Sequence, residues 1–137
     1  MIQIKLFIIA LPVFLFLDFI WLGLLAKNFY KTEFGSLALR VGDRLAPNLP
    51  GAAVTYLVLV AGLVFLVINP NIGANLSKLL LTAAIFGLTV YGTYDLINYS
   101  TLVNWSVKLT IIDMVWGMTV CTLTSFITVW VYKLIVK

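Results

Sequence analysis

The chain has 137 residues, of which 63% are apolar and 10% charged, with a mean hydropathy of +1.12. Because roughly 25% of the residues of an ordinary soluble domain are charged, this composition excludes that class and indicates a protein that resides in a membrane. The net charge of +4 comes from nine scattered Lys and Arg residues, a pattern typical of helix ends at lipid headgroups rather than of a nucleic-acid surface. With no His and only Cys121, the chain lacks a ligand set for zinc, haem or iron–sulfur clusters and any Ser-His or Cys-His nucleophile.

The first apolar run covers residues 4–26. A cleavable signal peptide has an apolar core of about 7–15 residues, so this run is too long for one and is predicted to remain as a membrane helix. Pro12 lies in its middle, where a local kink is expected.

Residues 27–51 form the only long polar stretch and are predicted to be a loop. Alternation of apolar and charged residues indicates a short segment at the membrane interface. The apolar members are Leu37, Leu39, Val41 and Leu45, and the charged members are Lys27, Lys31, Glu33, Arg40, Asp43 and Arg44. Arg40 and Arg44 would share one face if the segment were helical. Two interpretations stay open: a site for a lipid phosphate or a substrate anion, or a solvated charge pair that faces the headgroups.

Three further membrane helices are predicted at 52–68, 78–99 and 108–134, the second span ending at the breaker Asn69-Pro70-Asn71. The predicted fold class is therefore all-α: a polytopic integral membrane protein with four transmembrane helices in a single domain, 1–137, with both termini on one side. In a bacterium this would be an inner-membrane protein. Orientation stays open, with five basic residues on the loop side (Lys27, Lys31, Arg40, Arg44, Lys108) and four on the other (Lys5, Lys78, Lys133, Lys137).

Three of the predicted spans carry one carboxylate each: Asp18, Asp95 and Asp113. An ionisable residue at a helix centre costs roughly 2.5–3.5 kcal/mol on insertion scales. At 1.5 Å per residue, Asp18 lies about 12 Å from its helix end, and the other two lie about 7–8 Å deep. Because the three relevant helix ends share one face of the membrane, all three carboxylates are expected in the leaflet beneath the first loop.

Helical spacing indicates where two of these carboxylates face. Asp113 is followed at four-residue steps by Gly117, Cys121 and Ser125, and Asp95 is preceded by Tyr91 and Gly87. Stripes of small residues pack helix against helix in lipid. The sequence therefore predicts a polar site for a ligand or ion that is formed by Asp18, Asp95, Asn98 and Asp113 and walled by Trp21, Tyr91, Tyr94 and Trp116.

Two elements echo each other: DFIWLG at 18–23 and DMVWGM at 113–118 share the pattern Asp-x-x-Trp. A weak inverted repeat, shared local chemistry and chance stay open as explanations. Together with TYDLINYSTL at 93–102, these elements resemble a bacterial family of small four-helix membrane proteins, domain of unknown function 2177. The resemblance spans most of the chain and implies a four-helix membrane protein, without a reaction, cofactor or catalytic residue to carry over.

Carboxylates in such proximity cannot all stay ionised in a low dielectric, so a shared proton or cation is expected. Their all-oxygen surroundings suit a hard cation such as sodium, magnesium or calcium, and structural hydrogen bonding is the alternative. The favoured hypothesis is proton- or cation-coupled transport or binding of a small solute, in an oligomer because four helices enclose little volume. A membrane enzyme acting on lipid and a non-catalytic accessory subunit are the alternatives. The sequence determines neither a cofactor nor a catalytic residue.

Overall fold

The structure is a computed structural model that describes residues 1–42 and 44–136. Asp43 and Lys137, counted above with the first loop and the terminal basic residues, lie outside the described residues. Four helical segments are long and apolar enough to cross a membrane: Ile2–Leu25, Leu49–Asn71, Leu76–Thr101 and Val107–Ile135. The predicted fold class is confirmed, and these segments are called the first to fourth spans.

The spans and the segments between them have the following bounds. The first span is α1, Ile2–Phe19, followed by a π-helical turn, Ile20–Leu25. The first loop holds α2, Lys27–Phe34, a 3-10 turn, Gly35–Leu37, and the antiparallel strands β1, Arg40–Val41, and β2, Arg44–Leu45. The second span is α3, Leu49–Leu63, a π-helical turn, Val64–Ile68, and α4, Asn69–Asn71. The third and fourth spans are α5, Leu76–Thr101, and α6, Val107–Ile135.

The second span ends at Asn71, the last residue of the breaker at 69–71, three residues later than the boundary expected from the sequence. In the π-helical turn before it, the N–H of Asn69 bonds to the carbonyl of Val64, five residues back. This wider turn accommodates Pro70, which has no N–H to donate. The side-chain amide of Asn71 donates to the carbonyl of Val67 at 2.8 Å and so provides a bond that the helix end would lack.

The first loop is folded rather than extended. Arg40 lies in β1, and its guanidinium donates to the carbonyls of Lys31 at 2.6 Å and Gly35 at 2.8 Å. These carbonyls belong to the end of α2, where Gly35 has a positive φ of 50°. Arg40 and Arg44 therefore lie on two paired strands, not on one helical face, and Arg40 ties the strand pair to α2.

The fourth span is central, since it contacts the first and third spans and the π-helical turn of the second. Its closest approach is to the third span: a Cβ on Gly87 would lie 2.9 Å from the backbone nitrogen of Met118, and one on Gly117 would lie 2.7 Å from the Cβ of Tyr91. In the half of the bundle away from the first loop, the core is largely apolar, with fully buried residues such as Leu6, Leu63 and Val120. It also holds the buried hydroxyl side chains of Thr124, Ser125 and Thr128 on the fourth span. The polar site lies in the other half.

Candidate functional site

Asp18 connects three spans. It is 4% exposed on the first span, and its carboxylate accepts a hydrogen bond from the indole Nε1 of Trp116 at 2.9 Å and another from the hydroxyl of Tyr56. Trp116 belongs to the fourth span and Tyr56 to the second. Asp18 therefore faces the interior of the bundle.

Asp113 is bound by a residue of the first loop. Its carboxylate accepts a hydrogen bond from the hydroxyl of Tyr30 on α2, and that hydroxyl accepts one from the indole of Trp21 at 3.1 Å. Burial of Tyr30, followed by the nearby charge of Asp113, raises the pKa of its hydroxyl above the ordinary value of 10.0. Tyr30 consequently keeps its proton at neutral pH and acts as the donor to Asp113.

The two Asp-x-x-Trp elements meet face to face. The rings of Trp21 and Trp116 stack at 4.6 Å between centroids with an interplanar angle of 9°. Each Trp is hydrogen-bonded toward the carboxylate of the other element. Trp116 donates directly to Asp18, and Trp21 donates to the hydroxyl of Tyr30, which in turn donates to Asp113. The echo seen in the sequence is thus a reciprocal pairing across two antiparallel spans. We call this set the Asp–Trp network: Asp18, Trp21, Tyr30, Tyr56, Asp113 and Trp116.

Asp95 lies outside this network. It is fully buried on the third span, and neither carboxylate oxygen has a hydrogen-bond partner among the described residues. Gly92 packs against Met114, so in this antiparallel pair Asp95 lies level with the first turns of the fourth span. The structure therefore connects Asp18 and Asp113 through hydrogen bonds and ring stacking. Asp95, the third predicted carboxylate, lies outside this connection, on the third span.

The other predicted site residues take different positions. Tyr91 packs its ring against Gly117 at the contact of the third and fourth spans. Tyr94 is 56% exposed and has an edge-to-face contact with Trp105, at 6.0 Å between centroids. Asn98 is half-buried one turn further along. Of the four predicted wall aromatics, Trp21 and Trp116 therefore belong to the network as donors.

Sequence analysis missed Tyr30 and Tyr56, the two hydroxyl donors. Tyr56 is the one Tyr in the second span, and a carboxylate buried in lipid requires donors because unsatisfied polar groups are costly there. That requirement was the available signal for Tyr56. The position of Tyr30 had no such signal, since it depends on how the first loop folds over the bundle.

Helix α2 is fixed to the start of the fourth span at several points. The carboxylate of Glu33 accepts a hydrogen bond from the hydroxyl of Ser106 and lies 4.0 Å from the ammonium of Lys108. Phe34 contacts the ring of Trp105 at 5.9 Å between centroids. These contacts hold α2 where Tyr30 reaches Asp113.

A cleft of about 1370 Å³ lies between α2, the strand pair and the loop-side half of the bundle. We call it the loop cleft. Asp18, Tyr30 and Tyr56 are among the residues that line it. Its apolar residues include Leu15, Phe19 and Leu22 of the first span and Leu37, Leu39 and Leu45 of the first loop, and its basic residues are Lys27, Lys31 and Arg44. The Asp–Trp network therefore has one carboxylate, Asp18, on the wall of a space large enough for a ligand.

The chemistry available at this site is that of carboxylates, hydroxyls and indoles. Among residues 1–42 and 44–136, no group of three or more His, Cys, Asp or Glu side chains is placed to hold a metal ion. Carboxylates bind and release protons, and the Tyr hydroxyls both donate and accept hydrogen bonds. Asp18 and Asp113 are joined through the stacked indoles rather than by an unbroken chain of hydrogen bonds.

Comparison with known proteins gives one match. The model of a family described as a predicted membrane protein, DUF2177, matches residues 3–130, which confirms the resemblance drawn from the Asp-x-x-Trp elements. Neither the curated proteins nor the solved structures contain a match to the chain.

Proposed function

This chain belongs to the DUF2177 family of predicted membrane proteins, and we propose that it binds a small solute in the loop cleft, with binding linked to the protonation of Asp18. One observation carries the proposal: Asp18 is both a wall residue of the cleft and the acceptor at one end of the Asp–Trp network. A solute in the cleft would therefore meet a carboxylate whose partners lie on two other spans.

The linkage to a proton follows from these partners. Tyr56 lies on the cleft wall and donates to Asp18, so a bound solute can compete with its hydroxyl or reposition it. Any change in the donors around a carboxylate changes the relative stability of its ionised and neutral forms. Trp116 is the second donor to Asp18, and its ring stacks on Trp21. Through this stack, a change in the protonation of Asp18 would affect the Tyr30–Asp113 hydrogen bond.

Transport of the solute across the membrane would extend this proposal beyond binding. It requires the bundle to open on the side opposite the first loop, where buried apolar residues such as Leu6, Leu63 and Val120 are packed together. Binding in the loop cleft is the step that the geometry supports best. Coupling to a proton uses the carboxylates and hydroxyls of the network, so no metal enters the proposal.

The test compares purified wild-type protein with Asp18→Asn, Tyr56→Phe and the control Tyr99→Phe. Tyr99 lies on the third span outside the network and is 53% exposed. Small molecules retained in mild detergent are extracted and quantified by mass spectrometry after washing at mildly acidic and mildly alkaline pH. We expect the amount retained by the wild type and by Tyr99→Phe to change with pH. Tyr56→Phe should retain less, and Asp18→Asn should retain an amount that does not depend on pH.

Equal retention by all four proteins would overturn the proposal, as would an unchanged pH response in Asp18→Asn. A purely structural role for Asp18 predicts a different pattern: Asp18→Asn would lower the thermal stability, and what the protein retains would stay the same.

A further inference from the structure

We propose that the solute of the loop cleft is an anionic lipid taken from the surrounding leaflet, with its charged headgroup at the basic residues of the cleft and its chain along the first span. This inference rests on the proposed function because it places the ligand in the same cleft, but it does not require the linkage to a proton. The evidence for it is the arrangement of charge and apolar surface along the depth of the membrane.

The basic residues lie at the level of lipid headgroups. Lys27 follows the end of the first span, Leu25, by two residues and begins α2. Arg44 reaches the same cleft from β2. We call Lys27 and Arg44 the basic rim. Phosphate and carboxylate groups of a membrane lipid lie at this same level, where each nearby Lys or Arg favours an anion.

The apolar wall runs from the basic rim into the membrane. Leu15, Phe19 and Leu22 line the cleft from the first span, and their i, i+4, i+7 spacing places them in one stripe along the helix. Asp18 lies nine residues before Lys27, which is about 14 Å deeper at 1.5 Å per residue. A molecule with its anion at the rim and a chain along this stripe has the orientation of a lipid in the leaflet.

The charge distribution selects an anionic headgroup. Of the side chains described around the cleft, Lys27 and Arg44 are exposed cations at the rim, and Asp18 is the acidic residue at the deep end. An anion is therefore attracted at the rim and disfavoured at depth.

The size of the cleft also fits a molecule with a chain. Pockets for drug-sized ligands have volumes of about 300–1,000 Å³, and the loop cleft measures about 1370 Å³. Its wall is mostly apolar, as an acyl or similar hydrocarbon chain requires.

The experiment uses two probes with the same acyl chain, lysophosphatidylglycerol, which is anionic, and lysophosphatidylcholine, which is zwitterionic. The purified full-length protein is offered both lipids in equal amounts, and the bound ratio is read by native mass spectrometry. The variant Lys27→Gln/Arg44→Gln removes two exposed cations of the rim. The control Lys78→Gln/Lys133→Gln removes two exposed cations near the opposite ends of the third and fourth spans.

We expect the wild type and the control to prefer the anionic lipid. In the rim variant, the ratio of bound anionic to zwitterionic lipid should fall about fivefold for each cation removed. Equal binding of the two lipids by the wild type would overturn the inference, and so would an equal loss of preference in the control variant. Repeating the wild-type measurement at mildly acidic and mildly alkaline pH separates the two proposals. A headgroup preference without any pH response in the wild type would support the lipid and contradict the proton linkage.

Discussion

Each buried carboxylate of the Asp–Trp network is held by donors from distant parts of the chain. Asp18 receives its hydrogen bonds from residues 38 and 98 positions away, and Asp113 receives one from a residue 83 positions away. Hydrogen bonds to charged groups are stronger than those between neutral groups. These two carboxylates therefore fix the relative positions of three spans and α2 as well as forming the site.

The indole of Trp116 should contribute to stability in a way that the indole of Trp130 does not. Trp116→Phe removes the donor to Asp18 and weakens the stack on Trp21, so we expect a loss of about 1–2 kcal/mol in the free energy of unfolding. Trp130→Phe is the matched control, because Trp130 is 58% exposed on the outer surface of the same span. Unfolding in detergent, followed by circular dichroism, measures both variants. Equal losses would show that the Asp18–Trp116 bond contributes nothing specific.

The third and fourth spans are held together at the scale of helices by their small residues. Gly87 and Gly117 lie where the two backbones approach most closely, and the ring of Tyr91 covers Gly117. The small-residue stripes inferred from the sequence thus pack within one chain. The four spans bury these stripes without a second copy.

Gly117→Ala should destabilise the bundle, and Gly117→Leu should do so more strongly. The new Cβ would lie 2.7 Å from the Cβ of Tyr91, which cannot rotate away because it is attached to the backbone. Overpacking of this kind costs about 1–3 kcal/mol, measured as loss of thermal stability in detergent.

Gly62→Ala is the control for this substitution. A Cβ at Gly62 meets only the far end of the Phe86 ring, at 3.2 Å, and that ring can shift. Its thermal stability should stay close to that of the wild type. The assigned contact between the third and fourth spans would be wrong if Gly117→Ala were as stable as Gly62→Ala.

The whole molecule has two halves of different character across the membrane. The half beneath the first loop contains the Asp–Trp network, Asp95 and the loop cleft. The other half has a largely apolar core, in which the buried polar groups of the fourth span are hydroxyls rather than carboxylates. Because α2 covers the polar half through Glu33 and Tyr30, the first loop completes the site.

The four-span topology predicts the positions of reporters fused to the chain. Reporters after residue 74 and after residue 137 should give the same orientation signal, because two spans separate these points. A reporter after residue 104, between the third and fourth spans, should give the opposite signal. Alkaline phosphatase and green fluorescent protein fusions measure this pattern, and opposite signals at 74 and 137 would contradict it.

The four spans, and the position of the three carboxylates toward the loop-side ends of their helices, could be predicted from the sequence alone. Membrane helices need about 20 apolar residues, a local property of the chain, and helical rise converts sequence position into depth. The small-residue stripes were also visible because helical periodicity is local.

Only the tertiary structure decided which groups meet. Tyr30 reaches Asp113 because the first loop folds back as α2, and the two Asp-x-x-Trp elements pair because the first and fourth spans are adjacent and antiparallel. Asp95 lies level with the first turns of the fourth span and still lies outside the network. Position along a helix axis does not determine which neighbouring side chains a residue meets, because helix packing decides that. The cleft and its basic rim depend on the same long-range packing, which no local pattern in the sequence encodes.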